Sequence, residues 1–144
     1  MNNNVEHPKH YTFGKYEVID IIEQFNIDFR LASALKYIGR AGKKDSSKYR
    51  EDLEKAIWYI QRTISKPNPF EFYYTCFRYL LKNTIPISEI IKDWELTIGL
   101  DLVLNSLHKY CFTFSRGKKN FHLHRMIHGI QINIGSKEIK DELY

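Results

Sequence analysis

An all-helical fold is predicted for this chain of 144 residues, and three observations predict it. Apolar residues recur at helical spacing without a break from Val18 to Ile64. Capping residues and a glycine punctuate that stretch, and the two prolines of "SKPNPFE" end it. No internal repeat or low-complexity tract disturbs the pattern. The expected architecture is a small multi-helix domain over 1–66, followed by a mainly helical, aromatic-rich extension over 67–144.

The start, "EHPKHYTFGKY", reads as extended because Pro8 and Gly14 interrupt it. "YEVIDIIEQF" then sets Val18, Ile21, Ile22 and Phe25 on one helical stripe. Asn26 and Asp28 read as a turn and cap before "FRLASALKYIGRAG", whose stripe is Leu31, Ala34, Leu35 and Ile38. Gly42 is a natural left-handed terminator for that helix. A third helix, capped by Asp45, Ser46 or Ser47, repeats Tyr49, Leu53, Ala56, Ile57, Ile60 and Ile64. Glu51 and Asp52 occupy its first turn, where the helix dipole favours negative charge.

The second half is harder to read. "FEFYYTCFRYLLKN" reads as a helix that is apolar around most of its circumference and therefore well buried. The stretch from "ISEII" to "YCFTF" reads as one short and one longer helix, with the interruption near Thr97 to Gly99. "SRGKKN" reads as a solvated loop, and "FHLHRMIHGIQINIG" as a helix whose alternating "GIQINIG" end can equally pair as a strand.

Composition narrows the function classes. With 43% hydrophobic and 27% charged residues the chain can build a core, which excludes wholesale disorder. The net charge of +5 favours anionic partners but is spread along the chain, unlike a dedicated nucleic-acid tail. Cys76 and Cys111 sit among apolar residues and read as buried free thiols. The polar start lacks an apolar signal region and no run reaches transmembrane length, so a cytoplasmic protein without membrane contact is expected.

The chemistry centres on "LKYIGRAGKKD". It is not a Walker A loop: Gly39 and Gly42 are three apart, Lys44 stands where a hydroxyl is needed, and the preceding segment is helical. Phosphate can still be held there, with Arg40 forking two oxygens and Lys36, Lys43 and Lys44 acting as point charges. Asp52, Lys55 and Tyr59, at offsets of three and four, share one face of the following helix. Ordinary readings stand beside this one: lysines suit a helix C-terminus, and Glu51 with Lys55 makes a common surface pair. His124 and His128 have a zinc-ligand spacing, but no nearby Cys, Asp or Glu completes a site, and surface histidines are the better reading.

The motifs "HY", "YEVIDII", "LKYIGRAGKKD" and "EDLEKAIWYIQR", between His10 and Arg62, resemble a small phage-borne helical family in order and spacing. That family is called SaV-like, or phage nucleotide kinase after its characterised member. The resemblance implies a P-loop-less transfer of phosphate from a nucleoside triphosphate to a deoxynucleoside monophosphate. It places Arg40, Asp52 and Lys55 in catalysis, and His10, Tyr11, Lys36, Tyr37, Lys43, Lys44 and Tyr59 in substrate binding. Asp52 would orient the acceptor or hold a magnesium ion, while Tyr11, Tyr37 or Trp58 would stack a base.

A different class of function is a virus-encoded protein that inhibits a host nucleic-acid-processing or defence enzyme through 67–144, without catalysis. Either way a homo-oligomer is expected, with part of "FEFYYTCFRYLL" between subunits. Arg40 and Lys44 are expected to be exposed, so that removing either leaves the fold intact or relieves repulsion.

Overall fold

The computed structural model describes residues 7–9, 11, 14–80 and 85–143, with helices and no strand among them. The first part of the chain holds α1 (Val18–Phe25), α2 (Phe29–Arg40), a 3-10 turn (Ser46–Lys48) and α3 (Tyr49–Ser65). Glu17 and Asp20 form a capping box at α1. Asp28 caps α2 by accepting from the backbone N–H groups of Arg30 and Leu31. Gly42, at φ +75°, follows the end of α2 in the left-handed conformation that glycine adopts without strain. Leu31, Ala34, Leu35 and Ile38 meet Leu53, Ala56 and Ile60 in the core between α2 and α3. Arg30 pairs with Asp28 at 2.6 Å and donates to the Lys66 carbonyl, fastening the end of α3 to the start of α2.

The second half contributes α4 (Glu71–Leu80), α5 (Ile87–Asp93), α6 (Ile98–Cys111) and α7 (Arg116–Leu143). The expected break between α5 and α6 falls one turn earlier than Thr97–Gly99, at Trp94–Thr97, and Gly99 lies inside α6. Asp93 accepts from the N–H groups of Lys15 and Tyr16 at 2.9 and 3.0 Å, and the buried Trp94 indole donates to the Tyr16 carbonyl at 2.8 Å. These bonds hold α5 against the segment that leads into α1.

Two expectations for the second half are corrected, and one reading left open is decided. The α4 helix is not buried all round: Phe72, Tyr73, Phe77, Tyr79 and Leu80 are exposed, while Glu71, Thr75 and Arg78 are buried. The cause is an i, i+4, i+7 stripe of polar residues that finds partners inside. Glu71 Oε1 accepts from Arg78 Nη1 at 2.6 Å and from Lys119 Nζ at 3.2 Å, so burial does not leave these charges unpaired. "SRGKKN" is not a loop, since α7 begins at Arg116 and Lys119 is buried. "GIQINIG" is helical throughout, because Gly129, Ile130 and Asn133 lie on the side of α7 that packs on α6. Of the two free thiols, Cys111 is buried and Cys76 half-buried.

The α6–α7 pair rests on two glycines facing each other. A Cβ added at Gly129 would lie 2.4 Å from the Gly99 carbonyl oxygen, and one at Gly99 would lie 2.4 Å from that of Gly129. Gly129→Ala is expected to destabilise by about 1–3 kcal/mol, the cost of forcing packed backbones apart. Gly135, on the same helix with open space around it, is the control. Its change to Ala is expected to stabilise by about 0.5–1 kcal/mol through helix propensity. Urea denaturation of the two variants checks both signs.

Candidate functional site

Lys36, Tyr37 and Arg40 lie on the last turns of α2, and Asp52, Lys55 and Tyr59 on the facing part of α3. Packing of the two apolar stripes brings these polar edges together. The Tyr37 ring is the centre: it stacks on Tyr59 at 5.9 Å between centroids and 20° between planes. Three cations surround it, with Arg40 Cζ at 4.5 Å, Lys36 Nζ at 5.0 Å and Lys55 Nζ at 5.7 Å from its centroid. Trp58 is exposed and stands edge-on to Tyr59 at 4.9 Å.

Arg40 is not exposed as expected. Its side chain is 15% accessible and that of Asp52 is 4% accessible, and Oδ1 of Asp52 accepts from Arg40 Nη2 at 2.7 Å and Nε at 3.2 Å. Burial alone would lower the Arg40 pKa, but hydrogen bonding to Asp52 and to the Tyr11 hydroxyl outweighs it and holds the value above the ordinary one. Asp52 therefore orients Arg40. Lys55 pairs with Glu51 as spacing indicated, and that hydrogen bond raises the Lys55 pKa while lowering that of Glu51.

The other named residues divide. Tyr11, Lys36 and Glu17, with Pro8, Val18, Ile19 and Ile22, line an open groove of about 270 Å³ beside the Tyr37 face. Ile19 was the signal for this wall: it is an apolar residue off the α1 core stripe, and it is half exposed. Lys44 is exposed in the turn after α2. Lys43 is accessible too, yet protein packed around its ammonium lowers its pKa to about 8, opposed by the charge of Glu95. His10 lies outside the described residues.

A resident magnesium ion does not fit this donor set, because Asp52 is committed to Arg40 and Glu51 to Lys55. Among the described residues no group of three or more His, Cys, Asp or Glu converges, and His124 and His128 are exposed. Sequence reasoning missed the Glu71–Arg78–Lys119 cluster, although the spacing of Glu71, Thr75 and Arg78 was there to be read as one stripe.

Arg40→Ala is expected to destabilise by about 3–5 kcal/mol in chemical denaturation, since it leaves the Asp52 carboxylate buried without its partner. The earlier expectation of unchanged or higher stability is thus reversed. For Lys43, NMR of the side-chain amine is expected to titrate near pH 8. Because its folded pKa lies below the unfolded value, this group makes stability rise with pH between about 8 and 10.5, and Lys43→Met removes that increment.

A family model described as a protein of unknown function, DUF3310, matches residues 5–61. No curated protein and no solved structure matches the chain. The matched region contains α1, α2, most of α3 and every residue of the Tyr37 face, and the family description assigns it no activity.

Proposed function

We propose that the Tyr37 face binds nucleoside phosphates, and that the chain is a P-loop-less nucleotide kinase. The observation that carries the binding reading is the convergence of Lys36, Arg40 and Lys55 on one tyrosine ring, beside a groove with apolar walls. Arg40, held by Asp52, is pre-oriented as a fork for phosphate oxygens. Lys36 and Lys55 are longer-reaching point charges, and Tyr11 or Trp58 offers a surface for a base. The kinase part of the reading rests on the sequence resemblance. In the reaction, a phosphate oxygen of a deoxynucleoside monophosphate attacks the terminal phosphorus of a nucleoside triphosphate. The bond to the bridging oxygen breaks, and two diphosphates result. Such transfer depends mainly on positioning and charge stabilisation, which a cationic cluster supplies. Magnesium belongs to the triphosphate substrate in this scheme.

The alternative, a non-catalytic protein that engages a host partner or a second copy through 67–144, is favoured by the outward aromatic face of α4. A nucleotide panel separates the two. Binding at 100 times the dissociation constant is expected to raise stability by about 2.7 kcal/mol, seen as a thermal shift. Lys36→Gln and Lys55→Gln are each expected to weaken that binding about tenfold, corresponding to about 1.4 kcal/mol, without loss of fold. Diphosphate formation from mixed tri- and monophosphates tests the transfer. Unchanged nucleotide affinity in both variants overturns the site, and binding without transfer leaves the non-catalytic reading.

A further inference from the structure

A second cleft, made from other residues, lies between the start of α4 and the first turns of α7, and it is closed below by the Pro67–Pro69 turn. Its volume is about 370 Å³, within the range of small-molecule sites. Phe72, Phe114 and Tyr110 supply aromatic walls, and Arg116, Lys119 and Asn120 supply polar groups. Phe72 and Phe114 are each about half exposed, at 57% and 49%, and meet at 5.6 Å between centroids. A continuous aromatic surface thus faces the opening.

The charge around this cleft does not balance. Glu71 Oε1 is shared by Arg78 at 2.6 Å and Lys119 at 3.2 Å, so one carboxylate serves two buried cations. Arg116 adds a third cation at the rim and has no ion-pair partner among the described residues. The positive end of the 28-residue α7 points to the same place. Of these cations Lys119 and Arg116 line the cleft with Glu71 as the carboxylate in its lining, and Glu71 is shared with Arg78 behind it, so the lining carries an excess of positive charge. Arg40, by contrast, has the Asp52 carboxylate as its ion-pair partner. Lys119 already spends its three donors on Glu71, Thr75 and the Tyr110 carbonyl. Direct contacts to a ligand therefore come from Arg116 and Asn120, and the buried cluster contributes field. Burial lowers the Lys119 pKa, as expected for a charge with too little compensation.

We infer that this cleft binds a phosphate monoester carrying a planar ring, the dianion facing Arg116 and the ring lying on Phe114 and Phe72. A monoester carries about −1.5 to −2 charges at neutral pH, the sign this lining favours, and stacking on an aromatic wall is indifferent to ring identity.

Phenyl phosphate is the probe, titrated calorimetrically into the full chain at low salt. It is expected to bind at least about tenfold more tightly than inorganic phosphate, which lacks the ring, or benzyl alcohol, which lacks the charge. Arg116→Gln and Phe114→Ala are each expected to weaken it about tenfold, and Lys36→Gln is expected to leave it unchanged. Both cleft positions are exposed, so the fold survives; should Phe114→Ala melt early, Arg116→Gln alone decides. Equal affinity in Arg116→Gln, or no preference over inorganic phosphate, overturns the inference. So does a wild-type chain that ignores phenyl phosphate and sediments as a dimer that Phe114→Ala dissociates, because the aromatic wall is then a self-association face. Failure here leaves the Tyr37 face untouched, and loss only in Lys36→Gln assigns the probe to that face instead.

Discussion

The Arg78 guanidinium is the interaction on which the rest of the molecule depends. It is 1% accessible, and it donates to the carbonyls of Phe25 and Asn26 at the end of α1 and of Cys111 at the end of α6. Helix C-termini leave carbonyls without intrahelical partners and carry partial negative charge. One side chain on α4 satisfies two such ends at once, and Glu71 offsets much of the cost of burying its charge. The position of α1 relative to α4 and α6 follows from this. Because α1 also forms a wall of the groove beside Lys36, the candidate site inherits its shape from a residue far outside the matched region.

The first three helices were legible in the sequence because local rules and tertiary packing agree there. Asp28 caps, Gly42 terminates, and Leu53 and Ala56 lie in the core as their spacing required. The proximity of Lys36, Arg40, Asp52 and Lys55 was legible for the same reason, since two amphipathic helices that bury their stripes must bring their polar edges together. The pairing of Arg40 with Asp52 was not, because spacing says nothing about which charges face each other across helices. In α4 the logic of burial inverts: the residues that look apolar are outside, and the polar stripe is inside because Lys119 and three backbone carbonyls supply partners from distant parts of the chain. No local rule carries that information. The early turns of α7 were misread for a related reason, since a lysine-rich stretch normally signals solvent, and Lys119 is instead the third member of that cluster.

The two candidate anion faces differ in how their charge is handled. On the Tyr37 face each of two cations has its own carboxylate, Asp52 for Arg40 and Glu51 for Lys55. Such pairing holds the Arg40 and Lys55 head groups in place, an arrangement suited to orienting a ligand. In the cleft between α4 and α7 a single carboxylate is divided between two cations.

The placement of the two tryptophans gives the protein two built-in optical reporters. Trp94 is 2% accessible and bonded to the Tyr16 carbonyl, so its emission is that of an indole in an apolar, hydrogen-bonded setting and follows the docking of α5 on the entry to α1. Trp58 is 56% accessible and stands 4.9 Å from Tyr59, so its emission is red-shifted, open to a collisional quencher such as iodide, and sensitive to anything that settles on the tyrosine pair. One indole therefore records whether the two halves are joined, and the other records what happens at the face between α2 and α3, within a single unlabelled sample.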